Sequence, residues 1–368
     1  MALKAENFGA QDKLARLQLI RSTNIGPVTY FQLIARFGTA QAALQAIPEL
    51  AARGGGRAPR LASLADVERE VERVRALGAR YLFQGQNAYP SLLAEMESAP
   101  PVLIFRGRLE LFQRPMIALV GARNASAAAC RFARGLAQEL GRQGATVVSG
   151  LARGIDTAVH EGSLASGTIA VIASGIDIVF PPQNAALQER IAHDGVLLAE
   201  QPPGTEPRAR HFPYRNRIIA GLSAGTVVVE AAPRSGSLIT ARLAAEAGRE
   251  VMAVPGSPLD PRAQGCNGLI REGATLIQNA ADVMEAIGPM GGGLFRQRAT
   301  SFDSAPVSAD ASNQERQDAL QLLSLTPTPV DELIRQSGLS PAVVQTVLLE
   351  LELAGRLERH AGGKVSLI

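Results

Sequence analysis

The sequence predicts an α/β protein with a doubly wound, mostly parallel sheet at its centre, a helical domain before it and a small mixed domain after it. From Tyr81 onward, short continuous apolar runs alternate with amphipathic stretches. Apolar runs without polar alternation are typical of strands buried on both faces. Helical periodicity precedes this region, and three helical stretches with a hairpin signal follow it. The 368 residues suit two or three domains.

Residues 1–80 are predicted to form a helical domain. Apolar residues recur at helical spacing, and the pattern is broken at residues 24–27 and 53–56. The turn Ile25-Gly26-Pro27 has two interpretations. It is similar to the turn of a SAM-like, helix-hairpin-helix domain, in which glycine amides touch a DNA phosphate, but a plain helical bundle uses the same turn for packing.

Residues 81–287 are predicted to form an extended Rossmann-like domain. Right-handed crossovers between parallel strands follow from the strand–helix–strand spacing. The predicted strands are 81–83, 102–105, 117–120, 146–148, 169–173, 196–199, 227–229, 251–254 and 274–277. The predicted helices between them include 130–140, 184–191, 238–247 and 280–287.

Residues 288–313 are predicted to be a flexible linker, because Gly, Ser, Ala and Asp dominate without apolar periodicity. Residues 314–368 are predicted to form a winged helix, with helices at 319–325, 330–336 and 342–353 and a hairpin over 357–368. Its third helix carries Gln345, Thr346, Glu350 and Glu352, which makes sequence-specific DNA reading doubtful. The wing residues Arg356, Arg359 and Lys364 could meet phosphates, while a protein-binding or spacer role fits equally well.

Composition narrows the class of protein. The net charge of +3 and pI near 9.1 provide no general field for nucleic acid, so an anion site needs a local group of arginines. Cys130 and Cys266 show no disulfide or CxxC pattern, and no leader is evident, so we expect a cytoplasmic protein. No apolar run reaches the roughly 20 residues of a membrane span. No metal or cofactor is expected, since no His/Cys/Asp spacing suggests a ligand set.

Two loops after predicted strands are candidate phosphate sites. Gly121 and Arg123 follow one strand, and Ser126 could cap the next helix. The segment Ser149-Gly150-Leu151-Ala152-Arg153-Gly154 repeats this arrangement after the following strand. Carboxyl ends of parallel strands gather at one edge of the sheet, where helix N-termini and guanidinium groups suit phosphate. Pairing of these arginines with Asp156 or Glu230 is the alternative, which two successive loops of one kind make less favourable.

Two further segments complete the candidate site. Phe212 could stack on a base, and Arg215, Asn216 and Arg217 follow the helix-starting Pro213. Arg215 and Arg217 must diverge, so one is expected to face the crevice while the other pairs internally. Ser235, Gly236 and Ser237 form a fourth loop of the same kind. Asp156 and His160, at i and i+4, are assigned to scaffolding, with the carboxylate orienting a buried imidazole.

Taken in order, these motifs resemble the bacterial DNA-processing protein A (DprA, also called Smf) family. The resemblance covers roughly residues 80–285 and includes Val120 to Arg123, the Ser149 segment with Asp156 and His160, and the Phe212 segment through Ser223. It continues with Ser235-Gly236-Ser237, Pro255-Gly256 and Gly265-Cys266-Asn267. Ala122 stands where many members have Ser or Thr, and Tyr214 where a basic residue is often found.

The resemblance implies a non-enzymatic, cytoplasmic protein that binds single-stranded DNA without sequence preference. It further implies protection of incoming DNA in natural transformation, loading of the RecA recombinase, and a homodimer formed through the Rossmann-like domain. Arg123, Arg153 and Gly154 would then hold phosphates, and residues 212–217 would add phosphate and stacking contacts. The alternative is an enzyme, a nucleotide phosphoribohydrolase of the lysine-decarboxylase-like group with Glu230 as its carboxylate. Its glycine-rich loop is missing, since residues 222–226 read Leu-Ser-Ala-Gly-Thr.

Overall fold

The computed structural model describes residues 8–288, 310–360 and 362–368. The chain divides into two compact units. One unit contains the described residues up to 69 together with those from 310 onward, and the other extends from residue 70 to 288. Most of the linker predicted at 288–313 lies outside the described residues.

The chain begins with four helices: α1 (Ala10–Arg21), α2 (Pro27–Phe37), α3 (Ala40–Arg53) and α4 (Leu64–Ala76). Pro27 occupies the first turn of α2, where its missing N–H costs no helical hydrogen bond. Thr39 caps α3 by accepting a hydrogen bond from the amide of Ala42. The first three helices bury Tyr30, Leu33 and Ile47 in a common core. The predicted N-terminal helical domain is therefore confirmed.

The second unit is built on a nine-stranded sheet. Its strands are β1 (Arg80–Phe83), β2 (Val102–Gly107), β3 (Met116–Gly121), β4 (Thr146–Ser149), β5 (Thr168–Ile172), β6 (Val196–Ala199), β7 (Gly225–Val229), β8 (Glu250–Ala253) and β9 (Thr275–Leu276). Their order is β1-β2-β6-β5-β4-β3-β7-β8-β9. Within this sheet only β2 runs against the other strands. The chain thus builds outward from β3 to β6 and then crosses to β7 on the other side of β3.

Helices cover both faces of this sheet. They are α5 (Ser91–Ala94), α6 (Ala127–Arg142), α7 (Ile155–Ser163), α8 (Ala185–Asp194), α9 (His211–Leu222), α10 (Gly236–Glu246), α11 (Gln264–Arg271) and α12 (Ala280–Ala286). Ile117 and Leu119 of β3 pack into one core with α6, whereas Ala118 and Val120 pack into another with α9. Successive side chains of a strand point to opposite faces, so both faces are buried and the predicted doubly wound architecture is confirmed.

The chain ends in a winged helix made of α13 (Asn313–Gln321), β10 (Thr328–Pro329), α14 (Val330–Ser337), α15 (Pro341–Leu353), β11 (Leu357–His360) and β12 (Lys364–Leu367). The small sheet has the order β10-β12-β11. Ser340 caps α15 by accepting a hydrogen bond from the Val343 amide, and Pro341 occupies the first turn of the helix. Helix α13 begins six residues earlier than expected, because Ser312 and Glu315 form a capping box that apolar periodicity does not reveal.

The helical and winged-helix regions, predicted as separate domains, pack as one unit. Leu349 and Leu353 of α15 share a hydrophobic core with residues of α1, α2 and α3. None of the described helices is long and apolar enough to cross a lipid bilayer.

Candidate nucleic-acid interface

A pocket of about 230 Å³ lies at the carboxyl ends of β3, β4 and β5. Arg123, Arg153 and Arg215 line it together with Phe180, Phe212 and Pro207. The sequence-predicted loops after β3 and β4 and the start of α9 therefore meet at one place. The pocket lining contains no carboxylate, all of its residues lying within the described 70–288 unit.

Arg123 extends from the loop between β3 and α6. Gly121 ends the strand where a Cβ would lie 1.9 Å from the Val229 carbonyl oxygen, so only glycine allows β3 to approach β7 so closely. The Arg123 side chain is exposed, and its Cζ lies 5.2 Å from the ring centroid of Phe212. Within the described part of the chain, no carboxylate oxygen lies within 4.0 Å of Arg123. This guanidinium group is available to an anion.

Arg153 occupies the equivalent position after β4. Leu151 and Gly154 on either side of it have positive φ values of 57° and 77°, which turn the backbone sharply into α7. The Ile155 amide donates to the Ala122 carbonyl over 3.2 Å, and this bond ties the loop to that of Arg123. Arg153 is exposed and, among the described residues, also lacks a carboxylate partner. The expected convergence of two unpaired arginines is present in the structure.

Arg215 forms the floor of the pocket and is only 6% exposed. Its Nη1 donates to the carbonyl oxygens of Val171, at 2.8 Å, and of Gly150. A Cβ at Gly150 would lie 1.9 Å from that same Nη1, so the glycine makes room for the guanidinium. Burial lowers the pKa of Arg215 to about 10, an effect that the nearby Asp156 carboxylate opposes. The Nε atom has no hydrogen-bond partner within the described structure.

Asp156 supports the loop after β4 from below. Its Oδ2 accepts hydrogen bonds from the amides of Gly150, at 3.1 Å, and Ala152, at 3.3 Å. Burial raises the pKa of this carboxyl group, and the Arg215 charge acts in the opposite direction. The structure corrects the expectation that this carboxylate orients His160. The imidazole Nδ1 instead lies 2.8 Å from the Thr168 hydroxyl, and burial lowers the pKa of His160 to about 3.

Two aromatic rings form one wall of the pocket. Phe212 lies 5.9 Å from Phe180 between ring centroids, with the planes tilted by 57°. Phe180 is 42% exposed although it is large and apolar. Phe180 was not among the site residues predicted from the sequence. The signal was available, because an aromatic residue followed by Pro181-Pro182 in a loop after a predicted strand has no core to enter.

The backbone amide and hydroxyl group of Ser126 form hydrogen bonds within the protein. It caps α6 by accepting from the Ala129 amide at 3.0 Å. Its own amide and hydroxyl donate to the two carboxylate oxygens of Glu230 at 2.8 and 2.6 Å. The anion at this helix N-terminus is therefore a carboxylate of the same chain. Ser126 was predicted to contact DNA, and it lies outside the pocket lining.

The other predicted site residues of α9, of the loop before α10 and of β4 are not part of the pocket lining. Arg217 is buried and pairs with Glu200, so it is the internal member of the diverging pair. Asn216 donates to the Gly236 carbonyl over 3.3 Å and thereby connects α9 to the loop that begins α10. In that loop Ser235 caps the helix and lies 2.8 Å from the Ser237 hydroxyl. Ser149 is fully buried and donates to the Leu119 carbonyl over 2.7 Å.

The described residues contain no group of three or more His, Cys, Asp and Glu side chains that could hold a metal ion. The fold and the pocket together define a Rossmann-like protein with an arginine-lined, aromatic-walled pocket at the carboxyl edge of its sheet.

The chain belongs to the DNA recombination-mediator protein A family, whose model matches residues 80–288. The DprA-like N-terminal HHH domain matches residues 10–72, which favours the helix-hairpin-helix interpretation of the first domain. The DprA winged helix domain matches residues 303–363. The family resemblance expected from the motifs is thus confirmed.

Named relatives agree with this assignment. The chain is 46% identical over 200 residues to the DNA processing protein DprA of Streptococcus pneumoniae, covering 54% of this chain and 71% of the relative. It is 38% identical over 288 residues to the protein Smf of Escherichia coli, and the match covers 76% of this chain and 75% of that protein.

Two solved structures are similar to this fold. DNA processing protein A of Streptococcus pneumoniae matches with a TM-score of 0.63 at 32% identity, covering 75% of this chain and 97% of that protein. DNA processing protein A of Helicobacter pylori, described for its single-stranded DNA binding mode, matches with a TM-score of 0.51 at 28% identity. This match covers 56% of this chain and 93% of that protein.

Proposed function

We propose that this protein binds single-stranded DNA without sequence preference, through the pocket at the carboxyl ends of β3, β4 and β5. The observation that carries the proposal is the convergence of Arg123, Arg153 and Arg215 on the Phe180 and Phe212 rings, in a lining that contains no carboxylate. Two exposed arginines without a carboxylate partner among the described residues favour an anionic ligand.

The two exposed arginines suit phosphate contacts. A guanidinium group donates in a planar fork that matches two phosphate oxygens, and such charge-assisted bonds are stronger than neutral ones. Arg215 has a different task. Because it is buried and bonded to two backbone carbonyls, it supplies a fixed positive charge beneath the ligand.

The aromatic wall suits a nucleobase. Every base has a π-face, so stacking adds binding free energy without reading sequence. We expect bases to lie against Phe180 and Phe212 and the arginines to contact the DNA backbone, because both groups of residues line the same pocket. A duplex hides its base faces, so this arrangement favours a single strand. The Helicobacter pylori relative, described for its single-stranded DNA binding mode, supports the same substrate class.

We further propose that the protein is not an enzyme. Among the residues lining the pocket, none is a His, Asp, Glu, Cys or Tyr that could act as acid or base, and the Ser174 hydroxyl donates to the Ile178 carbonyl rather than to a base. The phosphoribohydrolase alternative needs a free carboxylate at Glu230. That carboxylate accepts two hydrogen bonds from Ser126 and lies outside the pocket lining, which disfavours the alternative.

Binding and turnover can be separated in one experiment. The purified protein is incubated with fluorescently labelled oligothymidylate and, in parallel, with nucleoside monophosphates, while anisotropy and release of ribose phosphate are followed. We expect saturable binding of the oligonucleotide and no product. Release of base or ribose phosphate would contradict the proposal and support the hydrolase.

The cellular role extends this activity. We propose that the protein protects incoming single strands in the cytoplasm and assists RecA loading during natural transformation, as the family description of a recombination mediator suggests. The test measures RecA ATPase activity on single strands already covered by a single-strand binding protein. Adding this protein is expected to shorten the lag before ATP hydrolysis, and an unchanged lag would contradict a loading role.

We also propose a homodimer formed through the Rossmann-like domain. Strand β9 is a two-residue strand at the edge of the sheet, and Leu276 on it is 45% exposed. An apolar residue on an open edge favours association. Light scattering is expected to give twice the 38.7 kDa mass of the chain, and Leu276→Arg is expected to reduce it. A wild-type mass equal to one chain would contradict the dimer.

A further inference from the structure

The winged helix presents its third helix to the N-terminal helices of its own chain. In winged-helix proteins that read DNA, this helix enters the major groove with an exposed polar face. Here Leu349, Glu350 and Leu353 of α15 are at most 3% exposed. Leu349 and Leu353 belong to the hydrophobic core of α1, α2 and α3.

The approach between the two regions is close enough to require glycine. A Cβ at Gly54, directly after α3, would lie 2.2 Å from the Glu350 carbonyl oxygen. A Cβ at Gly56 would lie 2.3 Å from the Ala354 carbonyl oxygen. Real Cβ atoms do not approach an oxygen so closely, so the sequence of this turn is matched to α15.

The polar groups of the reading face are also engaged. Gln32 of α2 donates to the side chain of Gln345 over 2.9 Å. Arg36 of the same helix donates to the Thr346 hydroxyl over 3.4 Å. These are the two uncharged polar residues that a DNA-reading version of α15 would need to keep free.

The two arginines of the wing also form hydrogen bonds to the N-terminal helical region. Arg356 donates to the Gly54 carbonyl over 3.0 Å. Arg359 pairs with Glu352 at 2.7 Å and donates to the Gln32 side-chain oxygen over 3.3 Å. Neither guanidinium is therefore directed at solvent to meet a DNA phosphate.

A charged cluster completes the junction. Asp310 lies 2.7 Å from Arg53 of α3 and 3.4 Å from Arg316 of α13, so one carboxylate joins both regions. Arg316 also holds the buried Glu350 at 2.7 Å. Glu350, an acidic residue that argued against DNA reading, thus neutralises an arginine within the unit.

We propose that this winged helix is a protein-docking module whose partner is the N-terminal helical domain of the same chain, and that α15 and the wing arginines Arg356 and Arg359 do not contact DNA. The docking joins residues 310–368 to residues 8–62 as one body. The proposal is independent of the single-strand pocket, which lies in the other unit.

The test uses the full chain with a protease recognition sequence inserted within residues 289–309. After cleavage, the fragment containing residues 310–368 is expected to co-elute with the rest of the protein in size-exclusion chromatography. Separate elution of the wild-type fragment would overturn the proposal.

Two glycine variants sharpen this test. Gly54→Ala places a Cβ against the Glu350 carbonyl and is expected to lower the retained fraction about tenfold. Gly26→Ala is the matched control, because nothing lies within 4 Å of its Cβ and neither glycine has a positive φ. Equal retention in both variants would contradict the docking surface. Circular dichroism of the α-helical signal before cleavage shows whether each variant is folded.

The wing arginines provide a second, independent readout. The double change Arg356→Ala with Arg359→Ala is expected to reduce retention of the fragment while leaving the affinity for single-stranded and duplex oligonucleotides within about twofold of wild type. A tenfold or greater loss of affinity with full retention would overturn the proposal, since it would make these arginines phosphate contacts.

Discussion

At the scale of single residues, the pocket depends on the close approach of the buried Arg215 guanidinium to the backbone carbonyls of Gly150 and Val171. Arg215 lies under the loop after β4 because Gly150 has no side chain and because Asp156 holds the amides of that loop. The exposed arginines above it are not paired with described carboxylates. The ligand-facing charges and the supporting charge are therefore distinct residues with different environments.

The change Gly150→Ala tests this arrangement. Its Cβ would lie 1.9 Å from Arg215 Nη1, so the guanidinium must move away from the Gly150 and Val171 carbonyls. We expect single-strand affinity to fall by about 1–2 kcal/mol, measured by anisotropy titration. Gly135→Ala in α6, where nothing lies within 4 Å, is the matched control and should leave affinity unchanged. Equal affinities of the two variants would show that the position of Arg215 does not matter for binding.

His160 sets a pH dependence of stability. Burial lowers its pKa to about 3 from 6.5, so below pH 6.5 the unfolded chain binds a proton that the folded chain does not. The free energy of unfolding should therefore fall as pH decreases through this window, by up to about 1.4 kcal/mol per pH unit. Asp156 acts in the opposite sense, because its raised pKa favours the folded state as pH falls toward 3.8.

A comparison of wild type with His160→Gln separates the contribution of His160 to the pH dependence of stability from that of Asp156. Denaturant titrations between about pH 4 and 7 should give a shallower loss of stability with acid in the variant. Parallel curves for the two proteins would show that the imidazole is not held neutral in the fold.

At the scale of elements, the start of α6 shows a helix N-terminus already satisfied from within. Glu230, at the end of β7, accepts hydrogen bonds from both donors of Ser126, and Ser126 in turn caps the helix. This contact joins the ends of β3 and β7 and holds the loop that carries Arg123. The sequence showed that Ser126 could cap this helix, but it could not show the tertiary carboxylate that occupies its hydroxyl.

Ser126→Ala separates a structural from a DNA-binding role. Loss of the cap and of the Glu230 contact should lower the free energy of unfolding by about 1 kcal/mol. Affinity for a single strand should fall less than in Arg123→Ala, because the lost hydroxyl faces Glu230. Thermal melting and anisotropy on the same samples provide the comparison. A large loss of affinity at unchanged stability would make Ser126 a phosphate contact.

At the scale of the whole molecule, apolar patterning predicted most of the fold. Continuous apolar runs located all nine strands of the large sheet, because strands buried on both faces need uninterrupted apolar sequence. The loops carrying Arg123 and Arg153 followed from strand order, since carboxyl ends of parallel strands share an edge. The docking of α15 on the N-terminal helices was missed, because it depends on tertiary packing between segments far apart in the chain.

The modest net charge of +3 predicts a weak dependence on salt. With two arginines placed to contact phosphates, the plot of log affinity against log salt should have a slope of about −1.4 per protomer for a single strand. Anisotropy titrations over a range of potassium chloride concentrations measure this slope. A slope several times steeper would require many phosphate contacts outside the pocket.

The most direct test of the central claim is a set of titrations with labelled oligothymidylate on wild type, Arg123→Ala, Arg153→Ala and the double variant. Each single change should weaken binding by about 1–3 kcal/mol and the double change by more, with melting temperatures nearly unchanged. Arg142→Ala is the control, since its exposed side chain pairs with Glu139 at the far end of α6 and should bind as wild type does. A double variant with wild-type affinity would contradict the account.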